Sequence, residues 1–278
     1  MKIVSRLNPL ITLLVILPPL IGYGDDGENR SIYKTEDNKI KIMTMYEGKL
    51  SQWPVANEIM EIRTKYGSTN IVASGSDTAP PVILIHAMGV TSTMWVSNIE
   101  ALSMAYRVYA IDVIGASMGG WIALNYAINS PDKVKRLVLL GPMGLKANTF
   151  KVVSKLTKIL INPSQKNKAE LTRWVLGDDT EVNDALGEYM NTAMNCEGRL
   201  GVPRRIGKSE LKRIEASTLL ILGGADNPIG NPIKNKKYAE GSISALSVEI
   251  LPNTGHLMNV ESPEEINNII LEFLSGGG

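Results

Sequence analysis

Gly115-Ala116-Ser117-Met118-Gly119 reads G-x-S-x-G, the spacing in which a serine sits on a sharp strand-to-helix turn with its hydroxyl exposed. A serine hydroxyl is a weak nucleophile, so it needs a base within hydrogen-bond reach and a third group that orients the base. The chain offers one candidate for each role. Asp226 ends the apolar run "STLLILGGAD", and His256 ends "LSVEILPNTGH". The chain order is Ser117, Asp226, His256, which goes with a strand-turn-helix serine and with neither common protease order. Each residue also has a plain structural use: Gly115 bends a strand, Asp226 caps the following helix, and His256 bonds a loop carbonyl. Three such positions in this order, each at the end of an extended run, favour the chemical use. An oxyanion formed at such a serine needs two backbone donors. The Met118 N–H is one, and Met88, in the loop His86-Ala87-Met88-Gly89, is the candidate for the other. His86 reads as a strand-end residue that shapes this loop rather than as a proton carrier.

These residues need a sheet whose strands end at one edge, where the C-termini of parallel strands gather groups from distant parts of a chain. "VILIH", "VKRLVLLG" and "STLLILG" are continuous apolar runs, as expected of strands buried on both faces. From "EIRTKYG" through "STN" to "IVASG" two extended runs flank a Gly-containing turn and predict an antiparallel hairpin. "STMWVSNIEALSMAY" has its apolar positions at helical spacing, and further helices are expected from Met118 to about Asn129, somewhere in residues 231–241, and after Ser262-Pro263-Glu264-Glu265. That last tetrad predicts a helix start with a capping serine, proline at the first position and glutamate reaching back. Residues 145–212 interrupt the alternation. Their apolar positions fall at helical spacing in "FKVVSKLTKILI", "AELTRWVLG" and "ALGEYMNTAM", which predicts a helical insert over the sheet. The expected divisions are a core of 42–144 and 213–278, a cap of 145–212, and a mobile polar lead-in over 25–41.

Composition excludes several classes. A chain of 278 residues, 44% hydrophobic and 21% charged, can bury a large α/β core, and a net charge of +1 gives no electrostatic case for nucleic acid. Cys196 stands alone, and His86 and His256 are the two histidines, too few ligands for a Cys/His metal cage. "GVPRRIGKS" puts five residues between Gly201 and Gly207, one more than a phosphate-binding loop has, and one of them is proline. Lys2 and Arg6 precede "LNPLITLLVILPPLIGYG" and Asp25-Asp26. A basic start, a short apolar stretch and small residues predict an export signal over 1–24, cut at Gly22-Tyr23-Gly24. An uncleaved membrane anchor is the other reading, although the run is short and proline-broken for a span of about 20 apolar residues.

The motifs "WP" at 53–54, "IVASG", "PPVILIHAMG", "MWVSNIEALS", "RVYAIDVIG", "GASMGGW", "SPDKVKRLVLLGPMG", "LLILGGAD" and "NTGHLMNVESPEEINNIILEFL" cover most of residues 42–278. In them the chain resembles the α/β-hydrolase superfamily, in particular its bacterial carboxylesterase-like branch. The resemblance implies a mostly parallel sheet flanked by helices, a helical cap, no cofactor, and a small-molecule ester substrate. By motif position it makes Ser117 the nucleophile, His256 the base and Asp226 the orienting acid. Serine at this position disfavours the related dehalogenases, which use a carboxylate there. A non-catalytic binding module and an acyltransferase are the alternative readings. Cap residues Trp174, Leu176 and Met190 are apolar and could line an acyl pocket or serve as plain core.

Two departures stand out. Relatives usually carry glycine where Ala87 stands. Relatives also separate "RVYAIDVIG" from "GASMGG" by a loop, a helix and a second strand, whereas here Gly115 belongs to both motifs. Only 31 positions separate His86 from Ser117, and one strand-helix-strand unit takes roughly 30 residues. The expectation is therefore a shortened strand order. If the fused strand fills the first slot beside "VILIH", Ser117 sits two strand spacings, roughly 10 Å, from its usual place and loses His256. If it fills the nucleophile slot on the other side, the helix of residues 92–105 must cover the opposite face or break the handedness rule.

Overall fold

In the computed structural model, the described residues are 35–64, 67–87, 89–109, 112–147, 149–176, 187 and 203–276. The expected export segment of residues 1–24 lies outside them. Among the described residues, no helix is long and apolar enough to cross a membrane.

The first described element is helix α1 (Glu36–Leu50). The Thr35 hydroxyl caps it by accepting the Asn38 N–H at 3.1 Å. Residues 36–41 of the expected lead-in are therefore helical. Their polar character hid this, because α1 buries only Ile42. Strands β1 (Asn57–Thr64) and β2 (Gly67–Ser74) form the expected antiparallel hairpin. After β3 (Pro81–Ile85), a 3₁₀ turn at Ser92–Trp95 leads into α2 (Val96–Ser103).

The fused motif then resolves in a way that neither slot describes alone. "RV" forms a two-residue strand β4 (Arg107–Val108) on one side of β3, and "DVIGA" forms β5 (Asp112–Ala116) on its other side. Val82 of β3 pairs in parallel with both Val108 and Asp112. The strand order is β1-β2-β4-β3-β5-β6-β7-β8, where β6 is Arg136–Leu140, β7 Ser217–Gly223 and β8 Leu246–Leu251. The expected shortening is thus corrected: all eight positions are filled, and the loss falls on a helix and most of one strand. The stub β4 is pinned by Arg107, whose guanidinium donates to the Gly75 carbonyl at 2.8 Å, pairs with Glu58 and Asp77, and lies over the Tyr109 ring.

Alternate residues of each buried strand serve opposite faces. Val138, Leu140, Leu219 and Ile221 pack with Ile99 and Leu102 of α2 and with Ile266, Ile270 and Leu274 of α9 (Pro263–Ser275). Leu137, Leu139, Leu220 and Leu222 pack with Leu124 of α3 (Met118–Asn129) and Ala239 of α7 (Pro232–Glu240). Because α2 shares a face with α9 and leads into β4, no helix has to change face.

The insert supplies α4 (Thr149–Ile161) and α5 (Gln165–Leu176), tied by Lys155 and Lys158 to Glu170 at 3.0 and 2.5 Å. Hydrogen bonds from Lys158 and Lys155 hold the Glu170 carboxyl down to about 2. "ALGEYMNTAM" lies outside the described residues apart from Gly187, as does Met190. The core resumes before the expected boundary at 212. Ile206 and Leu211 are fully buried in the second core cluster, the latter in α6 (Lys208–Leu211). Gly207 of the rejected phosphate-loop pattern caps α6, and its N–H donates to Glu210 at 2.8 Å. The capping box predicted at Ser262 and Glu265 does not form. Ser262 is already the C-cap of the short helix α8 (Met258–Glu261), and its hydroxyl caps neither end.

Candidate active site

Ser117 sits between β5 and α3 with φ 53° and ψ −112°. Among the described residues it is the only non-glycine with positive φ, a strained backbone that persists where its surroundings over-determine it. Those surroundings are specific. The Ser117 N–H donates to Leu140 at the end of β6, and the Ser117 carbonyl accepts from Met143 and Trp121. A side chain at Gly119 would run into the Ile85 carbonyl, so the tight turn requires glycine there.

Asp226 follows β7, and His256 follows β8, in the turn that leads into α8. The two turns are bonded to each other, with the Ala225 N–H donating to the Thr254 carbonyl at 3.1 Å. His256 Nδ1 lies 3.0 and 2.9 Å from the Asp226 oxygens Oδ1 and Oδ2. His256 Nε2 lies 2.8 Å from Ser117 Oγ. With Nδ1–H donated to the carboxylate, Nε2 is left as an acceptor facing the hydroxyl. All three residues are at most 7% exposed, so these bonds compete with little water. Asp226 Oδ1 also accepts the Ile229 N–H at 2.9 Å. Asp226 does not cap the following helix, whose N-cap is Asn231 accepting the Lys234 N–H at 3.0 Å; its carboxylate instead holds the turn at Ile229 and partners the imidazole.

Met118, the first residue of α3, has an N–H with no acceptor within the helix. Met88 lies outside the described residues. The neighbouring Ala87 is buried, and its N–H donates to the Met94 sulfur at 3.2 Å. The methyl group that replaces the usual glycine hydrogen is thus accommodated inside the core. His86 bonds the Ala87 carbonyl at 2.8 Å, a local bond that fits a loop-shaping residue. Of the pocket candidates, Trp174 is half-buried and its carbonyl accepts Asn227 Nδ2 at 3.2 Å, which joins the insert to the residue after Asp226. The Leu176 and Met190 side chains lie outside the described set.

Two contributors carry no sequence signal. Gly141, with φ 47°, lies behind the Asp226 carboxylate, where a β-carbon would sit 2.7 Å from Oδ2. Glu261 lies five residues beyond His256, and its carboxylate accepts the N–H groups of Gly255 and Leu257 at 2.5 and 2.9 Å. Burial pushes the Glu261 carboxyl above its ordinary value, and these two N–H bonds oppose the shift. Among the described residues, no group of His, Cys, Asp and Glu could hold a metal ion.

Comparison with known proteins agrees with this architecture. Carboxylesterase YbfK of Bacillus subtilis is 25% identical over 87% of this chain and 96% of its own length. A second Bacillus subtilis protein, the uncharacterized carboxylesterase nap, is 26% identical over 90% of this chain and 97% of its own. The crystal structure of carboxylesterase CesB (YbfK) superposes with a TM-score of 0.76 at 24% identity, covering 87% of this chain and 100% of that one. The family model described as serine aminopeptidase, S33, matches residues 96–263, from the start of α2 to the start of α9. With more than half of its residues inside that match and an eight-stranded sheet in which Ser117 stands on a sharp strand-to-helix turn, the chain belongs to the S33 serine aminopeptidase family of α/β hydrolases.

Proposed function

We propose that the protein is a carboxylic-ester hydrolase working through an acyl-enzyme. Ser117 Oγ attacks the ester carbonyl, and His256 Nε2 takes the hydroxyl proton and passes it to the departing alcohol. Water then enters, gives a proton to the same nitrogen and attacks the acyl carbonyl; the bond from the acyl carbon to Ser117 Oγ breaks, the nitrogen returns its proton to Oγ, and the acid departs. Asp226 keeps the imidazole in the tautomer whose Nε2 is free to accept. The amides of Met118 and Met88 hold the oxyanion in both halves of the cycle. The observation that carries the reading is the 2.8 Å approach of His256 Nε2 to Ser117 Oγ, with Asp226 on the opposite ring nitrogen. The names of the two Bacillus relatives support an ester as the substrate class.

The test is hydrolysis of p-nitrophenyl acetate and butyrate by the wild type and by Ser117→Ala, together with labelling by a fluorophosphonate probe. The wild type is expected to turn over with an initial burst and to be labelled. The variant is expected to lose turnover by about 10⁶-fold and to lose the label. Equal rates for the two proteins would reject the assignment.

A further inference from the structure

We infer that Glu261 is a positioning residue for the base, a carboxylate clamp that fixes the backbone on both sides of His256. The inference rests on the reading of His256 as the catalytic base. Its two oxygens divide between the two flanking residues. Oε2 accepts the Gly255 N–H at 2.5 Å and Oε1 accepts the Leu257 N–H at 2.9 Å. A charged acceptor makes both bonds stronger than neutral ones. Fixing both peptide planes fixes the direction in which the His256 Cα–Cβ bond leaves the chain. Only the side-chain torsions then remain, and the bond from Nδ1 to Asp226 restrains those. The ring is thereby aimed from its backbone as well as from its carboxylate partner.

The surroundings match this use. Gly255 packs so closely on the clamp that a β-carbon would lie 2.9 and 3.0 Å from the two Glu261 oxygens, leaving no room for a side chain. Glu261 ends α8, which is itself anchored: Asn259, fully buried, donates to the Met94 carbonyl at 3.1 Å. Met94 also receives the Ala87 N–H through its sulfur. The short helix that holds the base is thus tied to the residue preceding the expected oxyanion donor Met88. Positioning matters at this level because a displacement of about 1 Å from a remote change can cost about 10²-fold in rate.

Glu261→Gln keeps the shape of the clamp but turns one acceptor into a donor that faces an N–H. Gly255→Ala pushes on the same carboxylate from the other side. Each is expected to lower kcat on p-nitrophenyl butyrate roughly ten- to a hundredfold with KM within twofold, and to slow fluorophosphonate labelling of Ser117 by the same factor. The double variant is expected to be little worse than either single one, because both act on one contact. The exposed Glu264→Gln is expected to leave kcat unchanged. The His256 Nδ1 proton resonance should move in Glu261→Gln and stay in place in Glu264→Gln. Wild-type kcat in Glu261→Gln, or additive losses in the double variant, would overturn the clamp. If Glu261→Gln does not fold, the kcat and labelling rate of Gly255→Ala decide the question. A wild type that neither turns over nor labels would reject the base assignment, an outcome separate from failure of the clamp.

Discussion

Asp226 serves two groups with one carboxylate, since Nδ1 of His256 lies against both oxygens while Oδ1 also takes the Ile229 N–H. Asp226→Asn cannot satisfy both. If the amide oxygen stays with Ile229, the NH₂ faces Nδ1 and forces the ring proton onto Nε2, where the base can no longer accept from Ser117. The expected result is a fall in kcat of about 10⁴-fold with the fold retained, read from saturation kinetics on p-nitrophenyl butyrate beside a circular dichroism melt. A loss below tenfold would show that the carboxylate does not set the tautomer. Ser117, Asp226 and His256 are legible in the sequence because each closes an apolar run and their order is diagnostic. Gly141 and Glu261 are not legible. Gly141 matters through the space it leaves for a residue 85 positions away, and Glu261 acts on backbone donors that every residue possesses. The Ser262 cap misled for the opposite reason. Its residue pattern is correct, but the chain turns straight out of α8 and leaves Ser262 with ψ 59° instead of the extended geometry of a cap.

Among the elements, the stub β4 decides whether the shortened route from His86 to Ser117 works. Counting residues shows that two full crossovers cannot fit, and that arithmetic holds. What counting cannot reveal is that two residues suffice to occupy a strand position when a buried arginine holds them there. Arg107 is 8% exposed and bonds to three separate points, the Gly75 carbonyl, Glu58 and Asp77. Hydrogen bonds to charged groups contribute about 1.5–3 kcal/mol each when buried, but both carboxylates are largely exposed, and exposed ion pairs contribute about 0–1 kcal/mol. Arg107→Ala is therefore expected to cost about 2–3 kcal/mol, a drop in Tm of roughly 4–12 °C for a chain of this size. Amide exchange should rise first along β4 and β5. An unchanged melting temperature would show that packing of Val108 alone holds the strand. The cap is less legible because α4 and α5 follow helical periodicity but carry no motif, and periodicity alone does not fix where an insert ends. Ile206 and Leu211 already belong to the core before the expected boundary at 212.

For the molecule as a whole, the sheet and its two helical faces follow from alternating apolar runs, and the edge that gathers Ser117, Asp226 and His256 follows from the parallel order of β3, β5, β6, β7 and β8. A proposal about the destination of the chain rests instead on the pattern of its first residues. Lys2 and Arg6, the apolar run from Leu7 to Gly24 and the small residues Gly22 and Gly24 form the three-part pattern read by export machinery. Pro18 and Pro19 interrupt that run, which shortens the stretch available to cross a bilayer. We propose that the chain is exported and cut after Gly24, with the hydrolase released outside the cytoplasm. Expressed in a bacterial host with a working secretion pathway, it should appear in the periplasm or medium with an intact mass that begins at Asp25. Replacing Lys2 and Arg6 with glutamate should hold it in the cytoplasm at full length. A full-length chain that fractionates with membranes and resists carbonate extraction would identify the segment as an anchor. Mass and location together separate the two outcomes without reference to activity, so the export reading stands or falls independently of the chemistry proposed at Ser117.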